Sequence, residues 1–313
     1  MKYSYAILGD VTCDLNDELR ERFEIDGYTK GHIFSADGEE MESVIGWTFT
    51  TAQEFYSAMK SKKARYTTSP SSAEEIADYW ESFLKLGLDI LAISISGALS
   101  VTFNLMVNAQ KKMLEQYPER KIRVVDSRKY SVAYGLLVIR ASELRKQGLS
   151  LEENAAVLDQ EKSGIHQMGS MDDLFFVASK GRMSHSKAFM GTLIGIKPLG
   201  DFDENGLVTV LTKTKGFENA YHIIIEYMKK TIINPQEQLI ILAQTQREKQ
   251  SLELAELIRK HIGPKELVIS DIYPANGVNI GPGLLAAYYW GSPITDLENE
   301  KEIMKNVMEN MQK

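Results

Sequence analysis

Residues 90–105 read ILAISISGALSVTFNL, and this stretch decides the fold class of the chain. Its first part, Ile90–Ile95, is an apolar run of strand length and predicts a buried strand. A polar turn follows, and Ser100–Phe103 then open a predicted helix. A strand that leads through a short turn into a helix is half of a βαβ unit, which indicates a largely parallel sheet with helices on both faces.

Further apolar runs alternate with amphipathic segments along the chain. They predict buried strands at Tyr3–Leu8, Ile122–Val125, Leu239–Ala243 and Leu267–Ile272. Two helix starts are predicted from capping-box spacing, at Ser71 with Glu74 and at Ser150 with Glu153. Ligands of parallel α/β sheets bind beyond the carboxyl ends of the strands, so the functional site is expected there.

The pattern changes after Gly195. Ile196–Leu199 and Leu207–Leu211 flank the turn sequence Asp203–Gly206, which is typical of an antiparallel hairpin. The second half is therefore predicted to form a mixed sheet with helices.

A chain of 313 residues is long for one core and fits two α/β domains. We expect a first domain at 1–163, a second at 164–313, and a ligand cleft between them. The last residues, 297–313, predict a loosely packed terminal helix, with Ile303, Val307 and Met311 at helical spacing.

Charge and composition limit the partners. A net charge of -7 and a pI near 5.4 argue against nucleic acid or an anionic membrane as the main partner. The sequence shows neither a signal-peptide pattern nor an apolar run of membrane-spanning length, so we expect a cytoplasmic protein. Cys13 is the single cysteine, which excludes an intrachain disulfide and predicts a buried apolar thiol.

The common catalytic signatures do not occur in the sequence. There is no G-x-x-x-x-G-K-S/T, no G-x-G-x-x-G after the first strand, no H-E-x-x-H and no G-x-S-x-G. Of five scattered histidines, His166 and His185 fall in segments that could approach a cleft. A Ser-His-Asp arrangement stays open as the weaker alternative, because its members meet only in space. We predict no metal and no cofactor.

Three uncharged segments rich in hydroxyls, amides or glycines indicate an anion site. They are 67–71 (TTSPS), 94–102 (SISGALSVT) and 277–283 (GVNIGPG). Thr67 and Ser100 are expected beside helix N-termini, where free backbone N–H groups and the helix dipole favour an anion. Helix capping alone is the alternative explanation for each hydroxyl. The three segments together favour a site for a carboxylate or a phosphate.

Two charged loops complete the set. Residues 10–15 follow the first strand with Asp10 and Thr12, and Asp14 is expected to cap the next helix. Residues 179–184 form a basic turn that contains Arg182, which is either a plain surface turn or a contact for an anion or a partner.

The order and spacing of these segments resemble the DegV family of bacterial fatty-acid-binding proteins, the FakB-type acyl carriers. The resemblance runs from Tyr5 to about Ile294. Its marks are Asp10–Leu15 (like D-S-T-x-D-L), Thr67–Ser71 (like T-S-Q-P-S), Ile93–Asn104 (like I-S-I-S-S-G-L-S-G-T-Y-N), Val125–Ser127 with Gly135, Lys180–Ser184 (like G-G-R-I-S), Ile196–Pro198 and Gly281–Gly283. Each mark is weak alone, but their joint order is specific.

The resemblance implies a long-chain fatty acid held between two α/β domains. A threonine and a serine hold its carboxylate in the family, and these positions match Thr67 and Ser100. Asn279 is expected to join them on the carboxylate. Other residues expected near the ligand are Asp10, Thr12, Thr68, Ser96, Thr102, Gly281 and Gly283.

A partner fatty acid kinase is also implied by the resemblance. The kinase phosphorylates the carboxylate to an acyl phosphate for phospholipid synthesis, and the carrier itself has no catalytic role. Arg182 and Lys215 are the expected contacts for the partner or the acyl phosphate. A monomer is the simplest expectation from the family.

Three departures from the family pattern bear on this function. Asn279 stands where the family has a histidine, so a titratable donor is replaced by a neutral amide. Val101 replaces a glycine, which adds a branched side chain at a position where we expect the backbone to approach the ligand closely. Lys215 replaces an arginine and loses bidentate geometry.

Two rival functions remain open. The chain could be a hydrolase or acyltransferase with Ser100 as nucleophile, which requires a base within hydrogen-bond reach. It could also bind another small anion such as a sugar phosphate, although the three uncharged segments lack the Arg or Lys that a phosphate recruits.

Overall fold

The computed structural model describes residues 2–183 and 195–311. The chain divides into two compact units. Unit 1 comprises Met1–Phe49, Arg65–Lys162 and Tyr273–Asn276. Unit 2 comprises Thr50–Ala64, Ser163–Ile272 and Gly277–Lys313. The main change from unit 1 to unit 2 falls between residues 162 and 163. Two short segments are exceptions: Thr50–Ala64 precedes this point but belongs to unit 2, and Tyr273–Asn276 follows it but belongs to unit 1.

A four-stranded parallel sheet forms the centre of unit 1, in the order β2-β1-β6-β7. Every neighbouring pair in it is parallel. Its strands are β1 Tyr5–Asp10, β2 Gly27–Thr29, β6 Asp89–Ser94 and β7 Ile122–Asp126. The predicted parallel sheet is therefore confirmed, and its carboxyl edge ends at Asp10, Ser94 and Asp126.

Helices cover this sheet because its strands are apolar on both faces. The helices of unit 1 are α1 Asp17–Arg22, α3 Ala73–Lys85, α4 Thr102–Gln116, α5 Ser131–Lys146 and α6 Leu151–Glu161. Alternate residues of β1, Ala6 and Leu8, pack in one core cluster with Trp80 of α3 and Met106 of α4. Helices α5 and α6 contact the same sheet. Since strand side chains alternate between faces, α5 and α6 cover the other face.

The predicted capping box of α3 lies one residue later than expected. Ser72 is the N-cap, and Ser72 and Glu75 satisfy each other's backbone N–H groups. Ser71 instead donates its hydroxyl to the carbonyl oxygen of Lys30 at 2.8 Å. This bond fixes the end of the preceding strand and leaves capping to Ser72. The box at Ser150 and Glu153, before α6, is confirmed.

Unit 1 also contains a small antiparallel sheet that the sequence did not indicate, in the order β4-β3-β5. Its strands are β3 Gly31–Ser35, β4 Glu40–Ser43 and β5 Tyr66–Pro70. Only Ile33 of β3 and Ser43 of β4 are buried in these two strands besides Gly31, so the apolar signal is weak. The segment around Thr67 is a strand of this sheet.

Unit 2 is built on a six-stranded mixed sheet in the order β10-β9-β8-β13-β11-β12. Its strands are β8 Ile165–Ser170, β9 Ile196–Phe202, β10 Val208–Lys215, β11 Leu239–Gln244, β12 Glu266–Asp271 and β13 Leu285–Trp290. β9 and β10 pair antiparallel, as the hairpin prediction required. Among the described strands of this sheet, β11 and β12 are the one parallel pair. The predicted mixed sheet is confirmed.

The described helices of unit 2 are α2 Ala52–Lys60, α7 Leu174–Ser179, α8 Phe217–Thr231, α9 Glu248–His261 and α11 Leu297–Met311. Helix α10, Pro274–Ile280, starts within unit 1 and ends within unit 2. Helix α2 belongs to unit 2 because Phe55 and Tyr56 are buried and the Tyr56 hydroxyl donates to the Ile272 carbonyl oxygen at 2.5 Å.

The terminal helix α11 is well packed, which corrects the expectation of loose packing. Met304 and Val307 belong to the buried core of unit 2. Glu300 is fully buried on the same helix. Met311, expected on the packed face, is 39% exposed.

Candidate functional site

Asp10 lies at the carboxyl end of β1 and is only 3% exposed. Its Oδ1 accepts the Thr12 hydroxyl and the Thr12 backbone N–H, the latter at 2.8 Å. Its Oδ2 accepts the N–H of Ile95, just beyond β6, at 3.2 Å. Burial raises the pKa of Asp10, while these hydrogen bonds oppose the rise. The carboxyl group therefore connects the ends of two adjacent strands.

Residues 95–102 form a turn that leads from β6 into α4. Ser96 donates its N–H to the Lys129 carbonyl oxygen at 2.8 Å. The Ser96 carbonyl oxygen accepts the N–H groups of Leu99 and Ser100 at 3.0 and 3.1 Å. The Ser96 hydroxyl oxygen accepts the Ala98 N–H at 3.3 Å. Ser96 is thus buried within the turn and organises it.

Ser100 and Thr102 form a hydroxyl pair at the start of α4. Their hydroxyl oxygens are 2.8 Å apart, and the Thr102 N–H donates to the Ser100 oxygen at 3.3 Å. Val101 occupies the N-cap position without a side-chain cap bond and is 60% exposed. The pair has two hydroxyl protons and one hydrogen bond between them. Within residues 2–183 and 195–311, the second proton has no acceptor, so it is available for a ligand.

Thr67 and Thr68 lie inside β5 and pair with Phe34 and Ile33 of β3. The side chain of Thr67 is exposed and that of Thr68 is half-buried. The expectation that Thr67 lies beside a helix N-terminus is wrong, because α3 starts only after Ser72. Thr67 and the turn that carries Ser100 belong to the same unit.

Asp14 does not cap α1, contrary to expectation, because Asn16 does so through the Leu19 N–H at 2.9 Å. Asp14 is instead fully buried in a left-handed conformation with φ 50°. Its carboxyl group accepts the Ser131 hydroxyl at 2.5 Å and the Asn276 side-chain amide at 2.7 Å. Burial raises the pKa of Asp14 to about 8, although these bonds oppose the rise.

The glycines expected near the ligand shape the backbone after α10. Gly281 and Gly283 have φ values of 77° and 97°, which favour glycine. A Cβ at Gly283 would meet the Asp172 carboxylate at 2.6 Å. The Thr245 hydroxyl donates to the Gly281 carbonyl oxygen at 3.0 Å and accepts the Leu284 N–H at 2.8 Å. These residues, like half-buried Asn279, belong to unit 2.

An ion-pair cluster in unit 2 was not predicted. The Asp172 carboxylate pairs with Lys197 at 2.5 Å and with the Arg247 guanidinium. Both cations lie against the Phe217 ring, at 4.0 and 5.4 Å from its centroid. Burial lowers the pKa of Lys197. The members are distant in sequence, and the only signal was Lys197 within the segment Ile196–Pro198.

The two basic residues predicted as partner contacts are exposed. The Arg182 guanidinium donates to the Lys180 carbonyl oxygen, which leaves most of the side chain in solvent. Lys215 ends β10 on the surface. Ser184 and His185, also singled out by the sequence, lie outside the described residues.

His166 belongs to a buried network in unit 2. Its Nδ1 is 2.6 Å from the Asp201 carboxylate and its Nε2 is 2.7 Å from the Ser292 carbonyl oxygen. The Tyr227 hydroxyl donates to the Glu300 carboxyl group and lies 3.2 Å from Asp201. Burial opposes the charge on His166, but the Asp201 carboxylate outweighs it and raises the His166 pKa.

This network also contains the set that could hold a metal ion in the described part of the chain. Ligand atoms of His166, Asp201 and Glu300 all lie within 4.8 Å of one another. Both imidazole nitrogens already face oxygen acceptors, however. We therefore interpret the cluster as a hydrogen-bonded network of the core.

A small cavity in unit 2 has a volume of only about 10 Å³. Its walls include Met171, Leu174, Leu199, Val208 and Leu284. A space of this size holds about one water molecule. It is far too small for an acyl chain.

In the described part of the chain, every helix is too short or too polar to cross a membrane. A sequence model described as "Uncharacterised protein, DegV family" matches residues 4–291. A DegV domain-containing protein of Clostridium perfringens is 30% identical over 287 residues, which cover 92% of this chain and 97% of that protein.

Solved structures share the fold. A DegV family protein from Thermus thermophilus, described by its fatty acid binding, has a TM-score of 0.81 at 24% identity, over 92% of this chain and 99% of that one. The Streptococcus pneumoniae fatty acid kinase B3 protein loaded with linoleic acid has a TM-score of 0.76 at 21% identity, with the same coverage of 92% and 99%. Fold and sequence together lead to one conclusion: the chain belongs to the DegV family.

Proposed function

We propose that this chain binds a long-chain fatty acid and presents its carboxylate, as a carrier without catalysis of its own. The observation that carries the proposal is the Ser100 and Thr102 hydroxyl pair at the start of α4, which has one proton to donate. α4 is 15 residues long, so its N-terminal N–H groups and dipole also favour an anion. Thr67, exposed in the same unit, is the proposed second donor.

Tail and head group contribute differently to binding. Burying one methylene is worth about 0.8 kcal/mol, so roughly fifteen methylenes supply on the order of 10 kcal/mol before association costs. A hydrogen bond to a carboxylate nets about 1.5–3 kcal/mol. The tail therefore dominates affinity, while Ser100 and Thr67 set the orientation of the carboxylate. Asn279 is proposed as a further, neutral donor.

Relatives support the ligand and suggest the partner. The Thermus thermophilus protein is described as binding fatty acid, and the Streptococcus pneumoniae protein is described as a fatty acid kinase B3 protein loaded with linoleic acid. We propose that a cytoplasmic fatty acid kinase phosphorylates the carboxylate held by this carrier. Exposed Arg182 and Lys215 are the proposed contacts for the kinase or the acyl phosphate.

The contacts of Ser100 weigh against a hydrolase. A nucleophilic serine needs a base within about 2.6–3.2 Å. The side-chain partner of the Ser100 hydroxyl among the described residues is Thr102, which is not a base.

Native mass spectrometry before and after organic extraction tests the proposal. We expect one fatty acid per chain, identified in the extract. A protein that arrives empty and takes up no added fatty acid would refute the carrier function.

Head-group variants locate the carboxylate. Ser100→Ala is expected to weaken fatty-acid binding about tenfold, because it removes one hydrogen bond to a charged group. Thr67→Val should weaken binding modestly and impair kinase turnover. Ser82→Ala is a matched control, since it removes the hydroxyl of an exposed serine on α3. Equal fatty-acid affinities of Ser100→Ala and Ser82→Ala would show that Ser100 does not bind the carboxylate.

A further inference from the structure

We propose that Asp10 is a positioning residue: it fixes the turn that carries Ser100 and does not itself touch the ligand. The proposal rests on the proposed function, because it assigns Ser100 to the carboxylate. It replaces the expectation that Asp10 lines the ligand site.

The contacts of Asp10 point inward. With 3% exposure, the side chain offers almost no surface to a ligand. Both carboxyl oxygens are already engaged, Oδ1 by Thr12 and Oδ2 by the Ile95 N–H at 3.2 Å. A carboxylate would also repel a fatty-acid carboxylate at contact distance. Asp10 therefore acts through the groups that it binds.

Those groups form the base of the Ser100 turn. Ile95 immediately precedes Ser96, whose carbonyl oxygen accepts the Ser100 N–H at 3.1 Å. The Asp10 backbone N–H donates to the Tyr134 hydroxyl oxygen at 2.8 Å, and that hydroxyl donates to the Ile93 carbonyl oxygen. Asp10 thus holds the chain on both sides of Ser94. A shift of Ile95 would therefore move Ser96, and with it Ser100, whose N–H donates to the Ser96 carbonyl oxygen.

Asparagine cannot replace this set of contacts. Asp10 accepts two backbone N–H groups, one on each oxygen, whereas the amide of Asn has a single acceptor oxygen and an NH₂ group. In either amide orientation, the N–H of Thr12 or of Ile95 faces another donor. Because Asn has nearly the same volume, Asp10→Asn tests the hydrogen bonds without leaving a cavity.

Asp26, immediately before β2, supplies a control on the same strand. Its carboxylate accepts the Ile7 backbone N–H of β1 at 2.8 Å and pairs with Arg145. Asp26→Asn therefore weakens a backbone bond to the same strand, three residues before Asp10, together with the ion pair to Arg145. A general loss of stability would appear in both variants.

The experiment compares binding of a fatty acid and of the fatty alcohol of equal chain length by isothermal titration calorimetry. We expect Asp10→Asn to weaken the fatty acid about tenfold and the alcohol less than twofold, since only the acid needs an aligned Ser100. Asp26→Asn should change the ratio of the two affinities less than twofold. An unchanged ratio in Asp10→Asn would overturn the proposal.

Amide hydrogen exchange on the ligand-free protein gives an independent readout. We expect the amides of Leu99 and Ser100 to exchange at least tenfold faster in Asp10→Asn than in wild type, and to be unchanged in Asp26→Asn. Unchanged exchange at both amides would also overturn the positioning role. If wild type binds neither acid nor alcohol, the carrier function fails, and exchange alone decides whether Asp10 positions the turn.

Discussion

Each unit buries carboxyl groups, but the two sets are built differently. In unit 1, Asp10 ends β1 and Asp14 follows it, and both accept hydrogen bonds from neutral groups of other chain segments. In unit 2, Asp201 lies on β9 inside the sheet and is paired with His166 of β8. The same chemical group therefore shapes loops in one unit and ties core elements together in the other.

The difference lies in what neutralises the charge. Asp201 has a cationic partner, His166, and its Oδ1 also accepts the N–H groups of Gln167 and Phe202 at 2.7 Å each. Asp14 accepts from the neutral groups of Ser131, Asn276 and Tyr273, and burial raises its pKa although these hydrogen bonds oppose the rise. Burial alone does not determine whether a carboxyl group is charged, because nearby charges and hydrogen-bond donors also shift its pKa.

The largest expected effect is in unit 2. Asp201→Ala leaves His166 buried without its counter-charge and should lower the free energy of unfolding by about 3–5 kcal/mol. Urea denaturation measures the loss. The matched control is Glu298→Ala, which removes an exposed ion pair with Lys301 and should leave the urea midpoint unchanged. A loss comparable to that of the control would mean that the pair does not stabilise the unit.

In unit 1, the raised pKa of Asp14 predicts that the free energy of unfolding depends on pH, because this carboxyl group is buried with neutral partners. The folded carboxyl group has a pKa of about 8 against 3.8 in the unfolded chain, so ionisation costs stability between these values. Asp14→Asn copies the neutral form. Its free energy of unfolding should rise relative to wild type from about pH 4 to pH 8 and stay level above, measured by urea denaturation across pH.

A contrary result for Asp14 would be informative. If Asp14→Asn destabilises the protein equally at every pH, the carboxyl group is ionised throughout and its three hydrogen bonds outweigh burial.

His166 should act in a higher pH window. Its folded pKa lies above the 6.5 of the unfolded chain. The stabilisation is therefore complete below about pH 6.5 and is lost as pH rises through the folded-state pKa. The advantage of wild type over His166→Gln in urea midpoint should shrink above pH 6.5. A constant difference from pH 6 to 10 would contradict a charged His166.

The smallest expected effects come from threonine hydroxyls beside the two carboxyl clusters. Thr12→Val removes one of two bonds from Thr12 to Asp10 and should cost about 0.5–1.5 kcal/mol. Thr231→Val leaves the buried Tyr289 hydroxyl without its Thr231 partner at 2.7 Å and should cost about 1–3 kcal/mol. Thermal or urea unfolding of both variants gives the order, and a larger loss in Thr12→Val would reverse the comparison.

The sequence predicted β1, β6, β7, β11 and β12 from their apolar runs and the β9–β10 hairpin from its turn, but it did not predict β2, β8 or β13. It missed the β4-β3-β5 sheet, whose β4 is Glu40–Ser43 and largely exposed. It therefore misplaced Thr67, which lies in a strand of that sheet instead of at a helix start.

At the candidate site, local patterns succeeded and long-range contacts did not. Ser100 was correctly placed at the start of a helix, because a strand, a turn and a helix follow one another there. The role of Asp14 was not predictable, because its partners Ser131 and Asn276 lie 117 and 262 positions away. The His166 network was not predicted for the same reason, because Asp201 and Glu300 lie in different elements, far from His166 in sequence.

Cys13 lies between the two carboxyl groups of the first loop and is 1% exposed. Burial raises the pKa of its thiol far above the usual range, so the reactive thiolate is suppressed in the closed loop. Because Cys13 is the single cysteine of the chain, its thiol is a native probe of the opening of this loop. The rate at which an alkylating reagent labels the protein reports how often this loop opens, with no engineered probe.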